Sequence, residues 1–103
     1  MSGPHITVVG STNLDLVASA EKLPAPGETV TGANFAEHPG GKGANQALAA
    51  RRLGADVSLV ARTGQDANRD AALALLTEDG VDLSGVTTSD TEKTGVALIA
   101  VDA

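Results

Sequence analysis

A short apolar strand, an Ala-rich helix and a second apolar strand constrain the fold of this chain most. The β-branched run ITVV at residues 6–9 ends at a glycine, and residues 57–61 form a similar apolar run. Between them, residues 42–53 carry apolar side chains at helical spacing, and the following Gly54 is typical of a helix C-terminus. Two strands joined through a helix predict a parallel pair with a right-handed crossover, and we expect the first strand to be buried. The predicted fold class is therefore α/β.

A second helix and further strand segments follow along the chain. Residues 66–78 predict a helix that starts at Asp66 as N-cap, ends before Gly80, and has an inner face of Ala72, Leu75 and Leu76. Residues 81–88 are either a short strand or an extended loop, and residues 89–93 form a polar turn. In the first helix, we expect the Arg51-Arg52 pair to lie on a solvated face.

Three short segments differ from those of the central sheet. They lie near residues 14–19, 29–35 and 95–101, and each mixes polar and apolar side chains on both sides. Gly32 within the second segment indicates a bulge or bend. We expect these segments to form a small separate sheet.

Composition and charge exclude several classes of protein. With 103 residues the chain is at most one domain, and its single aromatic residue, Phe35, implies a modest core of Val, Leu, Ile and Ala. The net charge of −6 disfavours nucleic acids and anionic membranes as partners. No cysteine is available for disulfides or thiolate metal sites, and neither His5 nor His38 has partners at metal-ligand spacing. Without an 18-residue apolar run or room for a signal peptide before the first strand, we expect a soluble cytoplasmic protein.

The run GGKGANQA at residues 40–47 places glycines and a lysine at a helix N-terminus. Free backbone N–H groups and the helix dipole favour negative charge or oxygen lone pairs at such a point. The run is not a P-loop, because Ala36 stands at the first glycine position and Gly43 stands where Ser or Thr must hold magnesium. No G-x-G-x-x-G follows the first strand, which excludes a Rossmann fingerprint. A ligand-binding turn and a plain glycine-rich helix start remain the two interpretations.

A polar run, GSTNLD at residues 10–15, follows the first strand directly. Asn13 and Asp15 are two residues apart, so on an extended chain they point the same way. They lie beyond the carboxyl end of a strand, where open α/β sheets bind ligands, and an amide with a carboxylate suits neighbouring hydroxyl groups. The alternatives are an Asx-turn pair for these two residues and, for Asn45, a side chain that bonds local backbone. Together the two runs predict a site for a small polyhydroxylated ligand.

These runs, together with PGETV at 26–30, TGQD at 63–66 and TGVALI at 94–99, resemble the ribokinases of the phosphofructokinase B family of sugar kinases. The resemblance covers essentially the whole chain, and the full GGKGANQA run is its most specific part. It implies a partial ribokinase-like three-layer sandwich with a small β-sheet lid. The three mixed segments would form that lid, and in ribokinases two lids often pack together as a homodimer.

The resemblance also implies an activity, ATP-dependent phosphorylation of D-ribose to ribose 5-phosphate with Mg²⁺ and K⁺. By motif position it assigns seven residues to the substrate, five as polar ligands of the ribose hydroxyls and two as apolar lid surface: Asn13, Asp15, Gly41, Lys42 and Asn45, then Ala97 and Ile99.

The second signature of the family, DTxGAGD, is absent from these residues. In the family it supplies an anion hole and the aspartate base, so we expect no catalytic residue and no metal site in this chain, and we interpret it as the N-terminal third of a kinase. Two alternatives remain. One is a non-catalytic module that binds sugar or dimerises through the lid. The other is a related kinase for fructose, a deoxy-keto sugar or adenosine, the last disfavoured by the single aromatic residue.

Overall fold

The computed structural model describes residues 3–103. Within them the chain forms six strands and two helices, in the order β1 (His5–Val9), β2 (Asn13–Ser19), β3 (Asn34–Gly40), α1 (Lys42–Arg52), β4 (Asp56–Gly64), α2 (Ala67–Glu78), β5 (Asp82–Ser89) and β6 (Val96–Val101). This order is the one that the sequence predicts. Neither helix of the described residues is long and apolar enough to cross a membrane.

The first sheet is parallel and has the strand order β1-β4-β5; we call it the parallel sheet. Val57 and Leu59 of β4 are buried beneath the helices. On α1, Ala44 and Ala47 are buried in the same cluster, because their small side chains let the helix lie close to the strands. This arrangement confirms the α/β class. The segment near residues 81–88, left open between strand and loop, is a strand, β5, which runs over Asp82–Ser89.

The prediction that β1 is buried is wrong. β1 lies at an edge of the parallel sheet, where Ile6 is 38% exposed and Val9 is 78% exposed. A run of β-branched residues indicates a strand, but the number of neighbours that cover the strand depends on its place in the sheet.

The second sheet has the order β3-β2-β6, and we call it the small sheet. β2 pairs antiparallel with β3 and parallel with β6. The strand expected near 29–35 runs instead over Asn34–Gly40, because residues 29–33 belong to a loop in which Gly32 has φ +78°. β3 tolerates Pro39 because it is an edge strand, where a missing N–H need not break the ladder. The role of this sheet as a lid stays a prediction.

The helix boundaries agree with the sequence signals to within one residue. α1 ends at Arg52 with Gly54 beyond it at φ +106°, and α2 begins after Asp66, whose Oδ1 accepts a hydrogen bond from the Arg69 N–H at 3.1 Å. The buried residues of α2 differ by one from the expected set: Ala72, Leu73 and Leu76 are buried and Leu75 is only half-buried.

Arg51 is not on a purely solvated face, contrary to expectation. Its guanidinium donates to the Asp79 carbonyl at 2.9 Å and to the Ala55 carbonyl at 3.1 Å. It therefore joins the end of α1 to the end of α2 and to the start of β4. Arg52 contacts Asp79 with its Nε 2.6 Å from Oδ2, so it too has a partner.

The two sheets lie end to end rather than stacked. The Cα radius of gyration is 16.2 Å and the extents are 56 × 33 × 18 Å, whereas a compact chain of this length has a radius of about 13 Å. α2 contacts both sheets, since it packs on β2 and β3 as well as on β4 and β5. The start of the small sheet, with buried Leu14, therefore lies against the helical layer.

Candidate functional site

Asn13 and Asp15 form a hydrogen-bonded pair at the start of β2. The Asn13 Nδ2 donates to the Asp15 Oδ1 at 2.6 Å, and both side chains are half-buried on one face of the strand. This contact fixes one carboxylate oxygen and orients the amide. The other oxygen, Oδ2, makes no hydrogen bond with residues 3–103. The pair thus lies within a strand, and one carboxylate oxygen remains free to accept a hydrogen bond. This arrangement is not the Asx turn that was considered as the alternative.

The Asp15 carboxylate lies directly against the backbone of the glycine-rich run. Gly40 is buried, and a Cβ atom built there would lie 2.6 Å from the Asp15 Oδ2. Any other residue at position 40 would therefore displace the carboxylate. The antiparallel pairing of β2 and β3, which sets Gly40 opposite Asn13, produces this close approach.

The N-terminus of α1 packs on the β1–β2 connection. A Cβ at Gly43 would lie 2.6 Å from the Gly10 carbonyl carbon, and the Ala44 N–H donates to the Ser11 carbonyl at 2.9 Å. Gly41 adopts φ +99° and faces Thr12, with its built Cβ 2.7 Å from the Thr12 Cα. Close packing against the β1–β2 connection therefore requires glycine at these positions. The sequence did not predict this packing.

Lys42 and Asn45 are exposed on the first turn of α1. Neither side chain makes a hydrogen bond or ion pair with the part of the chain that the structure describes. The N-cap, Gly41, provides no side-chain cap, and the first turn carries no acidic residue. The positive end of the helix dipole therefore faces an ammonium and a free amide, a combination that suits oxygen atoms of a ligand. The local backbone bond considered for the Asn45 side chain is not formed.

Ala97 and Ile99 lie on the strand next to Asp15. In the parallel β2–β6 ladder Asp15 pairs with Ala97, and Val17 pairs with Ile99, so these side chains share a face of the small sheet. Ala97 is half-buried and Ile99 is 38% exposed. The small sheet thus sets apolar side chains next to the polar pair, with Ile99 farther from Asn13 than Ala97.

His38 is the neighbour that sequence reasoning missed. It is exposed, as expected of a surface residue, and it lies directly opposite Asp15 in the β2–β3 ladder. Paired residues of an antiparallel ladder share a face. Only the register of β3 against β2, which joins residues far apart in sequence, brings His38 and Asp15 together.

The chain is similar in sequence and in fold to carbohydrate kinases. The family described as pfkB family carbohydrate kinase matches residues 4–103. A ribokinase of Bacillus subtilis is 51% identical over 77 residues, which is 75% of this chain and 26% of that protein. A ribokinase of Haemophilus influenzae is 43% identical over 96 residues, covering 93% of this chain and 31% of that protein.

Among solved structures, Arabidopsis thaliana ribokinase complexed with ribose and ATP superposes with a TM-score of 0.78 at 34% identity. The match covers 99% of this chain and 33% of that structure. The chain spans a third or less of the length of these relatives.

Proposed function

Because the chain belongs to the pfkB family of carbohydrate kinases, we propose that its residues form the sugar-binding part of a kinase that phosphorylates D-ribose at O5 with ATP. The observation that carries the proposal is the Asn13–Asp15 pair, held at 2.6 Å against the glycine backbone at the start of α1. A carboxylate with an oriented amide can accept from and donate to adjacent hydroxyl groups of a sugar. The relatives named ribokinase support ribose as the sugar.

Each candidate residue has a distinct role in this proposal. The Asp15 Oδ2 accepts a hydrogen bond from a ribose hydroxyl, while Asn13 holds the carboxylate and offers its own carbonyl oxygen. Lys42 and Asn45 approach the sugar from the helix, with Gly41 allowing close contact to the backbone. Ala97 and Ile99 cover the apolar face of the sugar ring, with Ala97 nearer Asp15 and Ile99 nearer Val17.

We assign the chemical step to residues other than these 103. Among residues 3–103 no group of three or more His, Asp or Glu side chains is arranged to hold a metal ion. ATP would supply the phosphoryl group, and Mg²⁺ and K⁺ would neutralise charge around it. The part that we assign to this chain is to bind the sugar, orient its hydroxyl groups and exclude water. The setting we propose is cytoplasmic, with neither nucleic acid nor membrane as partner, in keeping with the acidic net charge.

We also propose a homodimer formed through the small sheet. Its outer face carries Phe35 and Leu98, which are 64% and 81% exposed, beside Leu16, Ala18 and Ala100. An apolar face of this kind in a soluble chain favours association with a second copy.

Ribose binding is tested by titrating D-ribose into this chain by NMR or calorimetry. Asp15→Ala and Asn45→Ala are each expected to weaken ribose binding by at least about tenfold, because each removes one or more hydrogen bonds to the sugar. Asp70→Ala and Gln46→Ala are the matched controls, because both residues are exposed and are not assigned to the sugar. Unchanged affinity in both site variants would contradict the assignment.

Phosphoryl transfer is tested separately. The chain alone is expected to release no ADP from ATP, Mg²⁺, K⁺ and D-ribose, whereas a chimera that joins it to the remaining segment of the Bacillus subtilis ribokinase should do so. Turnover by the chain alone would contradict the assignment of the base to other residues. Fructose and a deoxy-keto sugar in the same assay test the related kinases, and ribose binding without turnover in the folded chimera would favour a non-catalytic module.

A further inference from the structure

The connection from β5 to β6 is held at one residue, Thr94, which is 3% exposed. Its hydroxyl donates to the Asp66 Oδ1 at 2.7 Å, and its backbone N–H donates to the Asp66 Oδ2 at 3.0 Å. The Gly64 N–H donates to the Thr94 hydroxyl oxygen at 3.1 Å. Both carboxylate oxygens of Asp66 thus bind the residue at which the chain passes from the parallel sheet to the small sheet.

This contact goes beyond capping α2. Capping requires one oxygen, and Oδ1 already accepts from the Arg69 N–H. Within the described residues, Oδ2 accepts a hydrogen bond only from the Thr94 N–H. Gly64 allows the close approach, since a Cβ there would lie 2.7 Å from the Glu92 carbonyl oxygen and would collide with the Thr94 backbone.

The residue after Thr94 contacts the candidate site. The Gly95 carbonyl accepts a hydrogen bond from the Leu14 N–H at 3.0 Å, and a Cβ at Gly95 would lie 3.6 Å from the Asn13 Cβ. Leu14 is buried and stands between Asn13 and Asp15 in β2. The register that sets Ala97 beside Asp15 therefore begins at the Leu14–Gly95 hydrogen bond.

We propose that Asp66 and Thr94 are positioning residues for the Asn13–Asp15 site. By fixing the start of β6 between the N-terminus of α2 and β2, they hold the polar pair and Ala97 in one arrangement. Neither residue touches the sugar in this scheme. The identity of the ligand rests on the proposed function, but the mechanical coupling from Asp66 to Leu14 does not.

The coupling is tested by amide hydrogen exchange of this chain without any sugar. Asp66→Asn retains a good N-cap for α2 but removes the acceptor of the Thr94 N–H, and Thr94→Val removes the hydroxyl. Both variants are expected to speed exchange of the Leu14 amide about tenfold while the Leu59 amide in β4 changes less than about twofold. Thr94→Ser, which keeps the hydroxyl, should restore slow exchange at Leu14.

Thr77→Val is the matched control for loss of a hydroxyl. The Thr77 hydroxyl donates to the Leu73 carbonyl at 3.0 Å at the far end of α2, away from β6. The Thr77→Val substitution should leave the exchange rate of the Leu14 amide unchanged. Equal acceleration at Leu14 and Leu59, or none at Leu14, in the Asp66 and Thr94 variants would overturn the proposal.

Ribose titration completes the test. The two variants are expected to weaken ribose binding about tenfold at a temperature where they are folded, and Thr94→Ser should bind within about twofold of the wild type. Wild-type affinity in folded Asp66→Asn and Thr94→Val would overturn the positioning role. If the unsubstituted chain itself fails to bind ribose, the proposed function fails, and the exchange of the Leu14 amide still decides the coupling.

Discussion

Gly43 is the residue at which helix preference and packing conflict most directly. Alanine is favoured over glycine inside a helix by about 1 kcal/mol. At this position, however, a Cβ would lie 2.6 Å from the Gly10 carbonyl carbon and 2.7 Å from the Ser11 nitrogen, both backbone atoms that cannot move independently. The helix N-terminus would have to separate from the β1–β2 connection that carries Asn13.

We therefore expect Gly43→Ala to destabilise the fold by about 1–3 kcal/mol, the range for overpacking. Chemical denaturation measures the change. Gly95→Ala is the control, because the nearest atom to its built Cβ is at an ordinary 3.6 Å. Greater stability of Gly43→Ala would mean that the helix shifts without cost, contrary to the close packing described.

Asp66 is the residue at which stability should depend on pH. Hydrogen bonds from the Thr94 hydroxyl, then from the Thr94 and Arg69 backbone N–H groups, hold the pKa of the Asp66 carboxyl below its ordinary value of 3.8. A lowered pKa means that the folded state favours the charged form. The resulting stabilisation is complete well above pH 3.8 and is lost as the pH falls through the folded pKa.

The stability difference between the wild type and Asp66→Asn is therefore expected to be present near neutral pH and to shrink in acid. Urea denaturation at pH 6 and at pH 3 measures it, with Asp70→Asn as a control on the same helix. A difference that stays constant between the two pH values would argue against a charged Asp66 as the acceptor of the Thr94 hydrogen bonds.

At the scale of elements, local sequence signals predicted the helix ends well, but they predicted the burial and position of the strands poorly. Asp66 and Gly54 marked helix ends because capping depends on residues adjacent in sequence. The burial of β1 and the start of β3 depend instead on neighbours far along the chain, and the alternating segment at 29–31 gave no information about them. The Asn13–Asp15 pair was predictable from spacing, whereas His38 beside Asp15 required the register of β3.

Arg51 shows how one side chain links several elements. Its guanidinium reaches the Asp79 and Ala55 carbonyls and the Asp56 carboxylate, at 2.9, 3.1 and 3.3 Å. A lysine cannot form this planar set of bonds. We expect Arg51→Lys and Arg51→Ala each to lower the free energy of unfolding by about 1–2 kcal/mol, the loss of one or two net hydrogen bonds.

Arg52→Ala serves as the comparison, because the Arg52 side chain is 56% exposed and makes a surface ion pair with Asp79. Such pairs contribute about 0–1 kcal/mol. Thermal or urea denaturation of the variants separates the two arginines. Equal losses at both positions would show that the carbonyl contacts of Arg51 add nothing beyond charge.

At the scale of the whole molecule, the elongated shape leaves the small sheet exposed on its outer face. Leu98 and Phe35 are both more than half exposed, and they share that face because Leu98 and Phe35 pair with Leu16 and Ala18 of β2. Removing this face from water by association with a second copy would contribute about 25 cal/mol for each Å² of apolar surface buried, and the entropy cost of association offsets part of that gain. Burial of this face favours the homodimer that we propose.

Leu98→Lys is therefore expected to shift the chain toward monomer, since it places a charge at the centre of the apolar face. Sedimentation velocity over a concentration series measures the shift. Leu53→Lys is the control: Leu53 is 90% exposed at the end of α1, away from the small sheet, so its substitution should not alter association. If both variants and the wild type sediment as monomers, the dimer fails; if Leu53→Lys alone dissociates it, the interface lies on the helical side.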